Sequence, residues 1–125
     1  MTKQKILVIE DNEQNMYLTT FLLEKNGFEV IQARNGQEGL DAAAEDNPQL
    51  ILLDIQLPVM DGYAVARALK QNDATVNIPV VAVTSYAMAG DRESILAAGC
   101  EGYLEKPIDP DTFVDQIGPY LEEKP

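Results

Sequence analysis

The 125-residue chain has no histidine and a single cysteine, Cys100. Without an imidazole it has no histidine general base and cannot build a phosphohistidine on itself. One thiol cannot close an intrachain disulfide, which fits a reducing compartment. Long hydrophobic runs are missing too: no apolar stretch approaches the roughly 18 residues a membrane span needs. The apolar run at 6–9 is too short for a signal-peptide core, and Glu10 and Asp11 follow at once. The expected location is therefore cytoplasmic, with no membrane partner. Basic residues are also scarce, 9 Lys and Arg against 21 Asp and Glu, for a net charge of −12. Nucleic-acid binding is not expected, because phosphate contacts need clustered Lys and Arg.

What remains has a globular balance, 46% hydrophobic and 24% charged, in a length that suits one domain. Strand-length apolar runs stand at 6–9, 50–53 and 80–83, with a shorter one at 102–104 and a further candidate at 28–33. The first three are continuous rather than alternating, as in strands buried on both faces. Helix-length segments separate them. The first covers about 12–26, with Gly27 placed as its C-terminal cap. The second opens at Asn35, with Glu38 three residues on in the manner of a capping box, and stops near Asp46-Asn47-Pro48. The third follows Asp61-Gly62 and carries Val65, Ala66 and Leu69 on one side. The fourth covers about 87–98 and ends at Gly99, and the fifth opens with Asp109-Pro110. Five β-α units in strict alternation predict an α/β fold, a doubly wound, five-stranded parallel sheet with helices on both faces. Gly118 and Pro119 conflict with the last helix, since an interior proline costs about 3 kcal/mol. Either a kink or an end near Ile117 is expected there. The tail at 122–125 is too short to reach another domain.

Chemistry gathers at the strand ends. The first strand is followed by Glu10-Asp11, the third by Asp54, the fourth by Thr84-Ser85 and the fifth by Glu105-Lys106-Pro107. In a parallel sheet these ends share one edge, where open α/β folds bind ligands. Each residue alone has an ordinary explanation as cap, turn or solvated group; their convergence does not. Carboxylates about 4 Å apart repel by roughly 4 kcal/mol at an effective dielectric near 20. Either one takes up a proton or a cation sits among them. Mg²⁺, or Mn²⁺ in its place, suits an all-oxygen cluster with no His or Cys. Beside such a cation and Lys106, Asp54 stays ionised and can attack phosphorus to form an acyl phosphate, with Thr84 donating to a phosphate oxygen.

The set Glu10-Asp11, Asp54, Thr84 and Lys106-Pro107 resembles the two-component response-regulator receiver domain, along nearly the whole chain from Lys5 to about Leu121. The stretch Leu53-Asp54-Ile55-Gln56-Leu57-Pro58-Val59-Met60-Asp61-Gly62 is similar to the family's phosphorylation loop. Glu10-Asp11-Asn12-Glu13 and Ser85-Tyr86-Ala87-Met88 are most similar to single-domain DivK-type regulators and to receivers fused to hybrid kinases. The resemblance implies a flavodoxin-like strand order 2-1-3-4-5 and one receiver domain over 1–125 with no output domain. It implies that Asp54 is phosphorylated by a histidine kinase or a histidine phosphotransfer protein. Asp11 and Asp54 would ligate Mg²⁺ directly, Glu10 through water, and Gln56 through its backbone carbonyl. Lys106 would pair with the phosphate, across a cis bond to Pro107. Thr84 would move toward the phosphate and Tyr103 would turn inward behind it. A downstream protein would then read the face made by the fourth helix, fifth strand and fifth helix. The chain would be a monomer or weak dimer and a switch rather than a turnover enzyme.

Bulky Gln56 and Tyr86 are expected to flank the path of water to the acyl phosphate and to slow its hydrolysis. Three rivals fit less well. A phosphatase of the haloacid dehalogenase type needs Asp-x-Asp after its first strand, where this chain has Glu10-Asp11-Asn12. A flavin-binding flavodoxin needs phosphate-cradling donors where this chain has acids. A receiver that only binds partners would not need the full reactive set.

Overall fold

The computed structural model describes residues 3–85 and 89–121. Among them strands and helices alternate: β1 (Lys5–Ile9), α1 (Glu13–Lys25), β2 (Glu29–Ala33), α2 (Gly36–Asp46), β3 (Leu50–Asp54), α3 (Gly62–Lys70), β4 (Val80–Thr84), α4 (Ala89–Ala97), β5 (Gly102–Glu105) and α5 (Phe113–Leu121). All strand pairs are parallel, in the order β2-β1-β3-β4-β5. This is the doubly wound, flavodoxin-like α/β sheet that the alternation and the resemblance call for.

The continuous apolar runs divide by parity. Leu7, Ile9, Ile51, Leu53, Val80 and Ala82 point to one face, against Ala43 of α2, Val65, Ala66 and Leu69 of α3 and Ile95 of α4. Ile6, Val8, Leu50, Leu52, Val81 and Val83 point to the other, against Met16, Leu22 and Leu23 of α1 and Phe113 and Ile117 of α5. Successive side chains of a strand alternate faces, so a strand covered on both sides must be apolar throughout. Each such side chain contributes roughly 1.5–3 kcal/mol by leaving water. Edge strand β2 is only partly covered, which is why Glu29 and Gln32 can interrupt it.

The helix starts follow side-chain caps. Asn12, Asn35 and Asp61 each accept a hydrogen bond at 2.9 Å, from the backbone N–H of Asn15, Glu38 and Ala64. Glu38 reaches back to the backbone N–H of Arg34, one residue before the cap, so the reciprocal half of a capping box is displaced by one position. Asn26 caps the end of α1, and Gly27 follows it with φ 90°. Asn47 takes the left-handed conformation that ends α2.

One boundary differs from the sequence expectation, and at another one of the two expected outcomes is ruled out. Asp109 accepts from the backbone N–H of Asp111 and leads a turn, and α5 starts only at Phe113, whose N–H donates to the Asp109 carbonyl at 2.9 Å. Pro110 therefore sits in the lead-in turn. At the other end, α5 runs through Gly118 and Pro119 to Leu121 instead of stopping near Ile117. Proline there removes one bond in the last turn, and Tyr120 and Leu121 pack on the core beyond it. The expected start of the fourth helix at Ala87 lies outside the described residues.

Candidate functional site: an acidic cleft at the sheet's carboxyl edge

The chain leaves β1 toward one side of the sheet and reaches β3 on the other, so the β1 and β3 ends border the crevice where the winding reverses. Glu10 follows β1 directly, and Asp54 is the last residue of β3. Both are buried, Asp54 to 3% exposure, while Asp11 is exposed at the rim. Carboxylate oxygens of Glu10, Asp11 and Asp54 lie within 4.8 Å of one another, and this is the acidic group close enough to hold a metal among the described residues. Lys106 enters from the end of β5. Its ammonium is 3.2 Å from Glu10 Oε1 and 3.2 Å from Asp54 Oδ2. The Lys106 backbone N–H donates to the Thr84 carbonyl at 2.8 Å, tying the lysine to the end of β4. The Lys106–Pro107 bond is cis.

The charges do not balance. One ammonium faces two buried carboxylates and a third at the rim. Burial, then the hydrogen bond and charge of Asp54, push the Glu10 carboxyl up to about 7, against the weaker pull of the Asn12 N–H and Lys106. Burial would lower the Lys106 ammonium, but Asp54 and Glu10 outweigh it and its pKa is raised. A proton on Glu10 is thus one of the two remedies that crowded carboxylates allow. A hard divalent cation fits the same place: every donor is oxygen, and the one nearby cation leaves a negative surplus.

The 55–61 loop is fixed closely beside Asp54. The backbone N–H of Gln56 donates to Asp54 Oδ1 at 2.9 Å, and Gln56 itself is exposed. Gly62, the first residue of α3, donates its N–H to Ile55 O at 2.9 Å. A Cβ at Gly62 would strike Ile55 Cα and lie 2.6 Å from the Asp54 carbonyl oxygen, so only glycine lets α3 approach the acceptor's own backbone. Val59, at the loop's apex, is fully exposed with φ 68°, rare for a β-branched residue, and Met60 N–H closes a tight turn onto Pro58 O at 2.8 Å. The Asp61-Gly62 pair was legible as a helix start and as the end of the loop resembling the family's; the glycine's role is set by a contact across the loop.

Thr84 ends β4 and is buried, one register step past Asp54's partner Val83. Tyr103 lies on β5 opposite Ala82, half-buried against the α4 side of the core. Tyr86 lies outside the described residues. Cys100 is buried away from the cleft, and burial followed by Glu101 pushes its thiol up to about 12, so it stays protonated and takes no part.

A doubly wound sheet whose switch point gathers buried acids and one lysine offers an acidic cleft with the donors to hold a cation. Residues 6–118 match the response regulator receiver domain, and the chain belongs to that family. The polar-differentiation response regulator DivK of Brucella anthropi is 48% identical over 118 residues, which cover 94% of this chain and 96% of the relative. The protein of the same name from Brucella ovis is 48% identical over 97% of this chain and 98% of its own. Among solved structures, the chemotaxis response regulator CheY4 of Vibrio cholerae superposes with a TM-score of 0.91 at 26% identity, over 96% of this chain and all of that one. The receiver domain of a Pseudomonas aeruginosa sensor histidine kinase, with a magnesium ion coordinated in its active-site cleft, gives 0.89 at 31% identity over 96% and 98%. The chain is thus a response-regulator receiver of two-component phosphoryl signalling, a switch in class. Among the described residues no helix is long and apolar enough to cross a membrane.

Proposed function

We propose that Asp54 is the phosphoacceptor of a Mg²⁺-dependent switch. The observation that carries this is the Lys106 ammonium 3.2 Å from both Asp54 and Glu10, with Asp11 beside them. Asp11 and Asp54 would hold the ion directly, Glu10 through water, and Gln56 through its carbonyl. When bound, Mg²⁺ offsets charge on the phosphoryl oxygens. An Asp54 carboxylate oxygen attacks phosphorus of a phosphohistidine on a histidine kinase or histidine phosphotransfer protein. The O–P bond forms, the P–N bond breaks, and the donor imidazole leaves with the electron pair. Lys106 moves from pairing with Asp54 to pairing with the new phosphoryl group, and Thr84 donates to one of its oxygens. Water attacking the same phosphorus releases inorganic phosphate and restores the carboxylate.

The added charge, about −1.5 to −2, and its acceptor oxygens draw Thr84 and Lys106 from two strand ends. Tyr103 then turns inward, and the α4-β5-α5 face is presented to a downstream protein. Residues 1–125 act as one receiver domain, monomeric or weakly dimeric, in the cytoplasm, without nucleic acid or membrane as partner. The test is intact-mass measurement after incubation with acetyl phosphate and Mg²⁺. The parent should gain one phosphoryl group and Asp54→Asn none; equal gain by both would refute the assignment.

A further inference from the structure

We propose that Arg92 is a positioning residue of the switch: stacked on Tyr103, it holds the ring at the surface and opposes its inward turn. The inference rests on Tyr103 being the residue that turns. The Arg92 guanidinium lies over the Tyr103 ring, 5.6 Å from its centroid. That contact joins α4, the helix that follows Thr84, to β5, the strand that carries Tyr103. Ile95, one turn further along α4, is fully buried and pins the helix to the core, so Arg92 stands at the margin of the packed face. Tyr103 packs its half-buried ring against the same part of the core.

The choice of partner is informative. Acids outnumber Lys and Arg by 21 to 9 in this chain, yet among the described residues Arg92 makes no ion pair. It sits on an aromatic face instead. A guanidinium is planar, weakly hydrated and suited to stacking, where a lysine would keep its head in water. When Tyr103 turns toward Thr84, the ring leaves the guanidinium, and the contact is lost from the switched state alone. Its loss therefore counts against switching. A surface cation–π contact corresponds to about a two- to fivefold change in an equilibrium constant.

The experiment titrates beryllofluoride with Mg²⁺ as the phosphoryl mimic and follows the Tyr103 ring resonances by NMR. Arg92→Gln should bind the mimic about two- to fivefold more tightly than the parent. Arg92→Lys should fall between them, and the Arg92→Gln effect should vanish in a Tyr103→Leu background, as a double-mutant cycle requires of a direct pair. Tyr103→Phe keeps the ring and should keep the Arg92 effect. If the parent's Tyr103 resonances do not move with saturating mimic, the switch reading fails and this inference with it. If they move but Arg92→Gln binds equally or more weakly, or its gain survives Tyr103→Leu, the inference alone is overturned.

Discussion

The two edges of this sheet each hold a lysine against a glutamate, and only one edge leaves its charges unbalanced. At the amino edge, Lys70 pairs with Glu101 at 3.1 Å and donates to the carbonyls of Ile78 and Val76 at 2.9 and 3.2 Å. Glu101 in turn accepts the Val80 backbone N–H at 2.7 Å. One charge meets one charge, and the leftover hydrogen-bonding capacity goes to backbone that would otherwise lack partners. At the carboxyl edge, Lys106 meets Glu10 and Asp54 together, with Asp11 close by, and acids outnumber the cation. The first arrangement is self-contained and braces the α3-β4 connection. The second is incomplete, and only a positive species, a proton or a cation, can complete it. Burial alone does not mark a functional charge; an unbalanced sum does.

Removing each lysine should separate the two edges most sharply. Lys106→Met leaves Glu10 and Asp54 buried without their cation, which should cost about 3–5 kcal/mol in metal-free protein and slow phosphorylation. Urea unfolding and acetyl-phosphate labelling check both effects; a variant as stable and reactive as the parent would erase the distinction. Lys70→Met loses one partly exposed ion pair and two bonds to carbonyls, and should cost about 1–3 kcal/mol while leaving labelling unchanged. A labelling defect there would show that the amino edge is coupled to the chemistry.

A smaller effect follows from Glu10. Its folded value of about 7 stands above the ordinary 4.5, so the folded, metal-free protein holds a proton that the unfolded chain releases between those values. The stability this lends is fully present below the unfolded value and is lost as pH rises through about 7. Thermal unfolding should therefore show the parent losing stability from about pH 5 to pH 8 relative to Glu10→Gln, which has no such proton to lose. Parallel profiles for the two would remove the imbalance from the explanation.

Much of this contrast was legible in sequence, because it rests on local signals. Continuous runs such as 50–53 announced buried parallel strands, and Asn12, Asn35 and Asp61 announced the helix starts they cap. Glu10, Asp54 and Lys106 could be placed on one edge because parallel strands all end there. Contacts between distant segments were not legible. Nothing local to Gly62 says that its missing Cβ makes room for the backbone of Asp54. Nothing near Arg92 says that it prefers Tyr103 to a carboxylate. Val59 gives no warning of its positive φ, since the loop's ends, anchored at Ile55 and Gly62, impose it. Tertiary packing likewise carries α5 past Pro119, where propensity argued for a kink or a stop.

The central claim, that the carboxyl edge is a charge surplus awaiting a cation, is tested most directly by thermal unfolding at about pH 8 with increasing Mg²⁺. Above the dissociation constant, each tenfold rise in Mg²⁺ should stabilise the parent and Lys70→Met alike by about 1.4 kcal/mol, and Asp11→Asn far less at the same concentrations. A parent whose unfolding ignores Mg²⁺ would contradict it.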